Sequence, residues 1–197
     1  QRIPYGSVHE MFCARAAQQP DDPAVIWLPN GRAADEPGTI PYGRFVDRIT
    51  RTANLLHGLG VRDGAAVSIL MANRPETYYA LWGGSAAGVA NPVNPLLTPA
   101  QIAEIMAAAG SRVLVTGGPG MAYDVYEKAK AVRALYPALE TVVVVGGAGG
   151  EGLDFASSIE RQPGDRLVSG RRFRLDDPSV YFHTGGTTGA PKLAQHT

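Results

Sequence analysis

A glycine- and threonine-rich segment near the end of this 197-residue chain has the residue types needed to bind phosphate. It reads Thr-Gly-Gly-Thr-Thr-Gly over residues 184–189, follows a run of β-favouring residues over 180–182, and precedes Lys192. Glycines allow backbone N–H groups to turn towards an anion, threonine hydroxyls can donate to it, and a lysine supplies positive charge. From its spacing alone, the segment fits a turn between two strands with a surface lysine equally well.

The same segment is not a Walker A loop. In that motif the lysine follows a glycine directly and precedes serine or threonine. Here alanine and proline separate the last glycine from Lys192, and Leu193 follows the lysine. Any phosphate site at this place therefore belongs to another class.

A second glycine-rich loop, Gly-Ala-Gly-Gly-Glu-Gly over residues 147–152, formally matches the G-x-G-x-x-G pattern. The dinucleotide fingerprint also needs a helix that begins at the loop and an acidic residue about 20 positions later. Residue 172 is an arginine, and residues 154–160 are a poor candidate for a crossover helix. A flexible surface connection is therefore favoured over NAD binding.

Charge and cysteine usage limit the class of protein. Lys plus Arg and Asp plus Glu are balanced at 18 each, so no overall field draws the chain to nucleic acid or to an anionic membrane. The basic run at residues 171–174 is followed by Asp176 and Asp177, which predicts a solvated and locally neutralised surface. Cys13 is the only cysteine, which excludes an intrachain disulfide and predicts a half-buried apolar side chain in a cytoplasmic protein.

Residues 77–103 contain no charged side chain. Asparagines and prolines interrupt this stretch, whereas a membrane span needs about 20 predominantly apolar residues. We therefore expect no transmembrane segment, and we interpret Gly84 and Gly88 as sites of close packing in a globular core.

Strands and helices are predicted to alternate along most of the chain. Hydrophobic periodicity and capping signals predict helices over 8–18, 42–57, 75–87, 123–136 and from Thr98 onward, and strands over 24–28, 66–71, 89–90, 112–116 and 141–145. This alternation predicts an α/β domain with a largely parallel sheet. On the helix at 42–57 we expect Arg44, Arg48 and Arg51 to form the solvated side.

Residues 177–192 resemble the phosphate-loop signature of the adenylate-forming superfamily, usually Tyr-Thr-Ser-Gly-Thr-Thr-Gly-x-Pro-Lys-Gly. This group contains the acyl-CoA synthetases, which the chain resembles most, as well as firefly luciferase and the adenylation domains of peptide synthetases. The resemblance continues upstream in the family's order. Residues 53–64 are similar to its "Leu-Gly-Val-x-x-Gly-Asp" turn and the helix before it, residues 73–76 to its "Asn-x-Pro-Glu" helix start, and residues 86–98 to its "Ala-Gly-x-x-x-x-Pro-x-Asn-Pro" segment.

Three residues depart from the family pattern. Gly185 replaces the usual serine, His183 stands where tyrosine is usual, and Leu193 replaces the glycine after the lysine. His196 is not the histidine that often follows this motif, because by alignment Thr197 precedes that position. These departures bear on the substrate subtype more than on nucleotide binding.

The resemblance implies an α/β fold, the layered helix and sheet part of the large N-terminal domain of luciferase-like enzymes. Residues 1–197 would be an incomplete N-terminal portion of the AMP-binding domain, inactive by itself. Lys192 would neutralise the phosphates as the catalytic lysine, and no metal ligand is expected in this chain. The residues expected to surround the β- and γ-phosphates of ATP are Thr184, Gly185, Gly186, Thr187, Thr188, Gly189 and Lys192.

The activity implied for the longer enzyme is a two-step ligation. ATP with Mg²⁺ would activate a fatty or aryl carboxylic acid as an acyl-adenylate, and coenzyme A would then displace AMP. The alternatives are transfer to a carrier-protein thiol, or a non-catalytic module that binds nucleotide or dimerises. A homodimer is a further expectation, whereas nucleic acid is not an expected partner.

Overall fold

The computed structural model describes residues 4–29, 31–32, 35–147, 150–184 and 192–197. The helices are α1 Val8–Gln18, α2 Tyr42–Gly58, α3 Pro75–Ala87, α4 Pro99–Ala109, α5 Val125–Leu135 and α6 Phe155–Glu160. The strands are β1 Pro23–Trp27, β2 Gly38–Pro41, β3 Ala66–Leu70, β4 Val89–Pro92, β5 Val113–Gly117, β6 Thr141–Val145, β7 Leu153–Asp154, β8 Val180–Thr184 and β9 Lys192–His196.

The central sheet has the strand order β7-β6-β5-β3-β4-β8-β9. All neighbouring pairs are parallel except β8 and β9, which form an antiparallel hairpin at one edge. Strands β1 and β2 pair separately as a small antiparallel sheet. The α/β fold with a largely parallel sheet is thus confirmed.

Both faces of the central sheet are covered, because alternate side chains of its strands enter two different cores. On β6, Val143 and Val145 join the cluster that contains residues of α2, α3 and α6. Val142 and Val144 join the cluster formed with α4 and α5. This arrangement explains why β6 is a continuous run of β-branched residues, since neither face of the strand meets water.

The helix boundaries follow their local signals closely. Thr98 and Gln101 form a reciprocal capping box at the start of α4, and α3 carries proline in its first turn. The helix predicted over 123–136 starts later, at Val125. Tyr123 and Asp124 have φ values of 65° and 50°, so the residues before it leave the right-handed helical region.

Helix α3 packs closely on the sheet through its small residues, as predicted. A Cβ atom added to Gly84 would lie 2.7 Å from Cγ1 of Val67 on β3. One added to Gly88 would lie 2.5 Å from the carbonyl oxygen of Arg62. These positions accept only glycine without a shift of the backbone or of the core.

The prediction that Arg44, Arg48 and Arg51 form the solvated side of α2 is wrong for two of these three arginines. Arg44 is exposed, but the side chains of Arg48 and Arg51 are only 22% and 24% exposed. Arg48 pairs with Glu160 on α6, and Arg51 donates to the carbonyl oxygen of Gln162 at 2.6 Å. Spacing along α2 could not reveal this, because residues more than 100 positions later cover that side of the helix.

The basic run at 171–174 is also not uniformly solvated. Arg174 is exposed beside Asp176, as predicted, but the side chain of Arg171 is only 5% exposed. Its Nη1 atom donates to the carbonyl oxygens of Ser85 and Gly88, both at 3.0 Å. These carbonyls end α3, where the helix has no partners of its own, so Arg171 serves as a distant cap.

Cys13 is partly buried on α1, as predicted, and burial raises the pKa of its thiol. Its helix is held to α2 by aromatic contacts, among them Phe12 against Phe45 with ring centroids 5.4 Å apart. In the described part of the chain, no helix combines the length and apolar character needed to cross a lipid bilayer.

Candidate phosphate-binding site

The predicted phosphate segment forms the connection of the β8–β9 hairpin. Thr184 ends β8 and is the register partner of Lys192, which begins β9. The Thr184 hydroxyl donates to the carbonyl oxygen of Lys192 at 3.4 Å. Five of the predicted phosphate-binding residues, Gly185, Gly186, Thr187, Thr188 and Gly189, lie outside the described residues.

The hairpin places Thr184 and Lys192 at the carboxyl edge of the parallel sheet. β8 runs parallel to β4, and β4 runs parallel to β3, so the ends of these strands meet at one edge. Ligands of open α/β sheets bind outside this edge, where loops and helix N-termini converge. The sheet thus brings the two described members of the predicted site to the part of the fold suited to a small-molecule ligand.

Both side chains are available to a ligand. Thr184 and Lys192 are exposed, and as register partners they point to the same face of the hairpin. Among the described residues, no carboxylate forms an ion pair with Lys192. A threonine hydroxyl and an ammonium group on one face, at the two ends of a glycine-rich connection, can bind an anion together.

A histidine on the opposite face links this hairpin to the rest of the sheet. His183 precedes Thr184, and its Nε2 atom accepts a hydrogen bond of 3.1 Å from the backbone N–H of Asn94. Asn94 lies in the turn between β4 and α4. Burial lowers the pKa of His183, which favours the neutral imidazole that can accept this bond.

A separate cavity lies elsewhere in the described residues. It measures about 380 Å³ and is enclosed by α1, the end of α3 and the segment before β8, with Arg171 and Thr197 in its wall. Ser179, which precedes β8, also lines it, so the cavity opens at the amino edge of the sheet. It is therefore separate from Thr184 and Lys192.

The described residues offer no cluster of side chains for a magnesium ion. Over the ranges that the structure describes, no group of three histidine, cysteine or carboxylate side chains could hold a metal ion. The described residues thus do not form a resident metal site of this kind.

The second glycine-rich loop connects β6 and β7, which are parallel neighbours at the far edge of the sheet. The helix that follows, α6, starts only after β7, at Phe155. Residues 148 and 149 lie outside the described ranges. The described part of the loop thus lacks the helix that should begin directly after a dinucleotide-binding turn.

Sequence reasoning missed the contacts of two residues, Asn94 beside the candidate site and Arg171 in the segment before β8. In the sequence, Asn94 stands out only because it lies between two prolines in a segment that resembles the family pattern. This position does not indicate which residue its backbone N–H binds. Arg171 was hidden in a run of basic residues. Both form hydrogen bonds with residues more than 80 positions away, which spacing along the sequence cannot indicate.

Comparison with known proteins agrees with the motifs. The family model described as AMP-binding enzyme matches residues 12–197. The chain is 34% identical to the marinolic acid–CoA ligase of Pseudoalteromonas sp., over 100% of this chain and 30% of that protein. It is 25% identical to the long-chain-fatty-acid–CoA ligase heimdall of Drosophila melanogaster, over 98% of this chain and 30% of that protein.

The fold is also found among solved structures. A long-chain-fatty-acid–CoA ligase from Archaeoglobus fulgidus superposes with a TM-score of 0.81 and 19% identity, covering 99% of this chain and 37% of that one. The chain spans about 30% of the length of the two curated relatives. Since the family match extends over nearly all of its residues, the chain belongs to the AMP-binding enzymes, the adenylate-forming family that its motifs resemble.

Proposed function

We propose that this chain is the N-terminal portion of the AMP-binding domain of a longer ATP-dependent acid–CoA ligase, and that it supplies that enzyme's phosphate-binding hairpin. The observation that carries the proposal is the pairing of Thr184 with Lys192 at the carboxyl edge of the sheet, on either side of the glycine- and threonine-rich connection. The relatives named above are acid–CoA ligases, which supports this reaction class.

In the proposed reaction, the substrate carboxylate attacks the α-phosphate of ATP, and pyrophosphate leaves. Negative charge then develops on the departing phosphates. The ammonium group of Lys192 would stabilise that charge, and the Thr184 hydroxyl would help to orient the phosphate chain. The thiol of coenzyme A would then lose its proton and attack the carbonyl carbon of the acyl-adenylate. The bond between this carbon and the phosphate oxygen would break, so that the acyl group forms a thioester and AMP leaves.

The acid is proposed to be a fatty or aryl acid. The fatty part of this proposal is supported by the Drosophila relative, which is named as a long-chain-fatty-acid–CoA ligase. We assign no residue of this chain to the acyl group, to coenzyme A or to magnesium. A cytoplasmic location fits the single cysteine, and a homodimer is a further proposal without an assigned surface.

The test is an ATP–pyrophosphate exchange assay on the longer protein with a panel of carboxylic acids. We expect exchange with a fatty or aryl acid, and AMP release that depends on free coenzyme A. If AMP release required a carrier protein instead of free coenzyme A, the acyl acceptor in this proposal would be the carrier-protein thiol. The 197-residue chain alone should show no exchange, and measurable exchange by it would contradict its assignment as a portion of the catalytic domain.

A further inference from the structure

The parallel pairing between β4 and β8 is interrupted just before the candidate site. The two strands share one register pair, Ala90 with Val180, and the Ala90 N–H donates to the carbonyl oxygen of Ser179 at 3.0 Å. In a strand, alternate backbone N–H groups point to the same neighbour. The next β4 residue whose backbone nitrogen faces β8 is Pro92, and proline has no N–H to donate.

The following backbone N–H that faces β8 belongs to Asn94, and a side chain accepts its hydrogen bond. His183 Nε2 accepts it at 3.1 Å. The imidazole thus joins β4 to the carboxyl end of β8 beyond the point where their backbone ladder stops. Because His183 directly precedes Thr184, this bond acts on the residue at which the predicted phosphate segment begins.

Asn94 offers a firm point of attachment. Its side-chain oxygen accepts from the Leu96 N–H at 2.9 Å, and its carbonyl oxygen accepts from the Leu97 N–H at 3.2 Å. The capping box of Thr98 begins α4 directly afterwards. The turn therefore has its own hydrogen bonds and can hold the end of β8 through a single contact.

We propose that His183 is a positioning residue for ATP binding, which acts through its bond to Asn94 only while the imidazole is neutral. The bond requires an unprotonated Nε2 and therefore the Nδ1–H tautomer. A protonated imidazole donates at both nitrogens and cannot accept from an N–H, so protonation releases the carboxyl end of β8 from β4. The inference rests on the proposed function, because it assigns the effect to the ATP site.

The surroundings of His183 contain few groups that could titrate in the same range. Its partner on β9 is Leu193, and this strand carries Lys192 and His196 at its two ends. On β8 itself the titratable neighbour is Tyr181, and α4 contributes only Glu104. From α5, Lys128 donates to the carbonyl oxygen of Pro95, the residue after Asn94. Residues 93–103 have no charged side chain, and residues 185–191 contain no titratable one. His183 itself is thus the group expected to control the bond near neutral pH.

The first experiment needs no catalysis. Nitrogen-detected NMR of the histidine rings in the 197-residue chain reports the tautomer directly, and the Asn94 amide signal reports the bond. We expect the Nδ1–H tautomer at pH 8, and an Asn94 amide shift that follows the titration of His183. An Nε2–H tautomer would overturn the proposed hydrogen bond between His183 and Asn94.

The second experiment measures the KM for ATP in pyrophosphate exchange by the longer enzyme between pH 5.5 and 8. H183Q keeps an acceptor, the amide oxygen, that does not titrate, and H183F keeps a ring without an acceptor. At pH 8 we expect H183F to raise the KM for ATP roughly two- to tenfold with little change in kcat, the range of one hydrogen bond. H183Q should stay near the wild-type KM at pH 8.

The KM of the wild type divided by the KM of H183Q isolates the effect of His183, because ATP and all other groups titrate in both enzymes. We expect this ratio to rise as the pH falls below the usual histidine range and to approach the H183F effect. H196Q is the matched control, since His196 lies on the paired strand but is a register partner of Val180 rather than of His183. Its KM ratio to wild type should stay constant with pH.

The possible failures differ from one another. No exchange by the wild-type enzyme with any acid would overturn the proposed function and with it the role in ATP binding. Active wild-type enzyme together with an H183Q variant that keeps the full pH dependence would overturn only the role of His183. A fluorescence melting curve for each variant distinguishes loss of the fold from loss of the contact, and H183Q remains decisive if H183F does not fold.

Discussion

The guanidinium of Arg171 donates from Nη1 to the carbonyl oxygen of Gly88 at 3.0 Å and so joins the segment before β8 to the end of α3. On its other side, Nε lies 2.6 Å from a carboxylate oxygen of Asp63. One buried cation thus connects the helix that follows β3 with the strand that leads into the candidate site.

The first prediction concerns this cation. Arg171→Met removes the donors from the carbonyls of Ser85 and Gly88 and should lower the free energy of unfolding by roughly 2–4 kcal/mol. Urea denaturation of the 197-residue chain measures the change. Arg174→Met is the control, since that side chain is 75% exposed and its ion pair with Asp176 should contribute at most about 1 kcal/mol. Equal losses in the two variants would contradict the capping role.

The second prediction concerns the close packing at the end of α3. Gly88→Ala places a methyl group 2.5 Å from the carbonyl oxygen of Arg62, so the backbone must shift. We expect a loss of roughly 1–3 kcal/mol in the free energy of unfolding, as for other overpacked sites. Gly58→Ala is the matched control, because a Cβ there has no neighbour within 4 Å.

In that control, alanine near the end of α2 should be neutral or stabilise the helix by up to about 1 kcal/mol. Thermal melting of the two variants beside wild type gives the comparison. A Gly88→Ala variant as stable as wild type would show that α3 can move away from the turn before β3.

The third prediction concerns pH. Burial lowers the pKa values of His9, His57 and His183 from the ordinary value of 6.5. As the pH falls below that value, the unfolded chain therefore binds protons before the folded chain does. The stability contributed by the neutral histidines is complete above about pH 6.5 and is lost as the pH falls towards their folded pKa values.

We thus expect the free energy of unfolding to decrease from pH 7.5 to pH 5.5, measured by urea titration at each pH. Replacing His9, His57 and His183 together by glutamine should make this decrease smaller. H196Q serves as the single-histidine comparison on an exposed strand. Stability that rises over the same interval would contradict the assigned directions of the pKa shifts.

The fourth prediction concerns Lys192. In the longer enzyme, Lys192→Ala should lower the rate of acid-dependent pyrophosphate exchange by roughly 10²-fold, because it removes charge that stabilises the leaving phosphates. Lys130→Ala is the control, since Lys130 is an exposed lysine of α5 that pairs with Glu127. An unchanged exchange rate in the Lys192 variant would show that the hairpin is not the phosphate site.

Much of the fold could be predicted from local sequence. The helix at 8–18, the helix at 75–87 and the strand at 141–145 were predicted with the boundaries that the structure has. Periodicity, caps and runs of β-branched residues act over a few positions, so these elements can be recognised without knowledge of their neighbours. The family motifs also placed Thr184 and Lys192 in one candidate site.

The tertiary structure alone decided which polar side chains are covered and what they bind. Arg171 looked like a surface residue, and His183 was only a departure from a motif. Their partners lie more than 80 positions away and become neighbours because β8 pairs with β4. Sequence spacing describes one element at a time, whereas burial and hydrogen bonding between elements depend on the order of strands in the sheet.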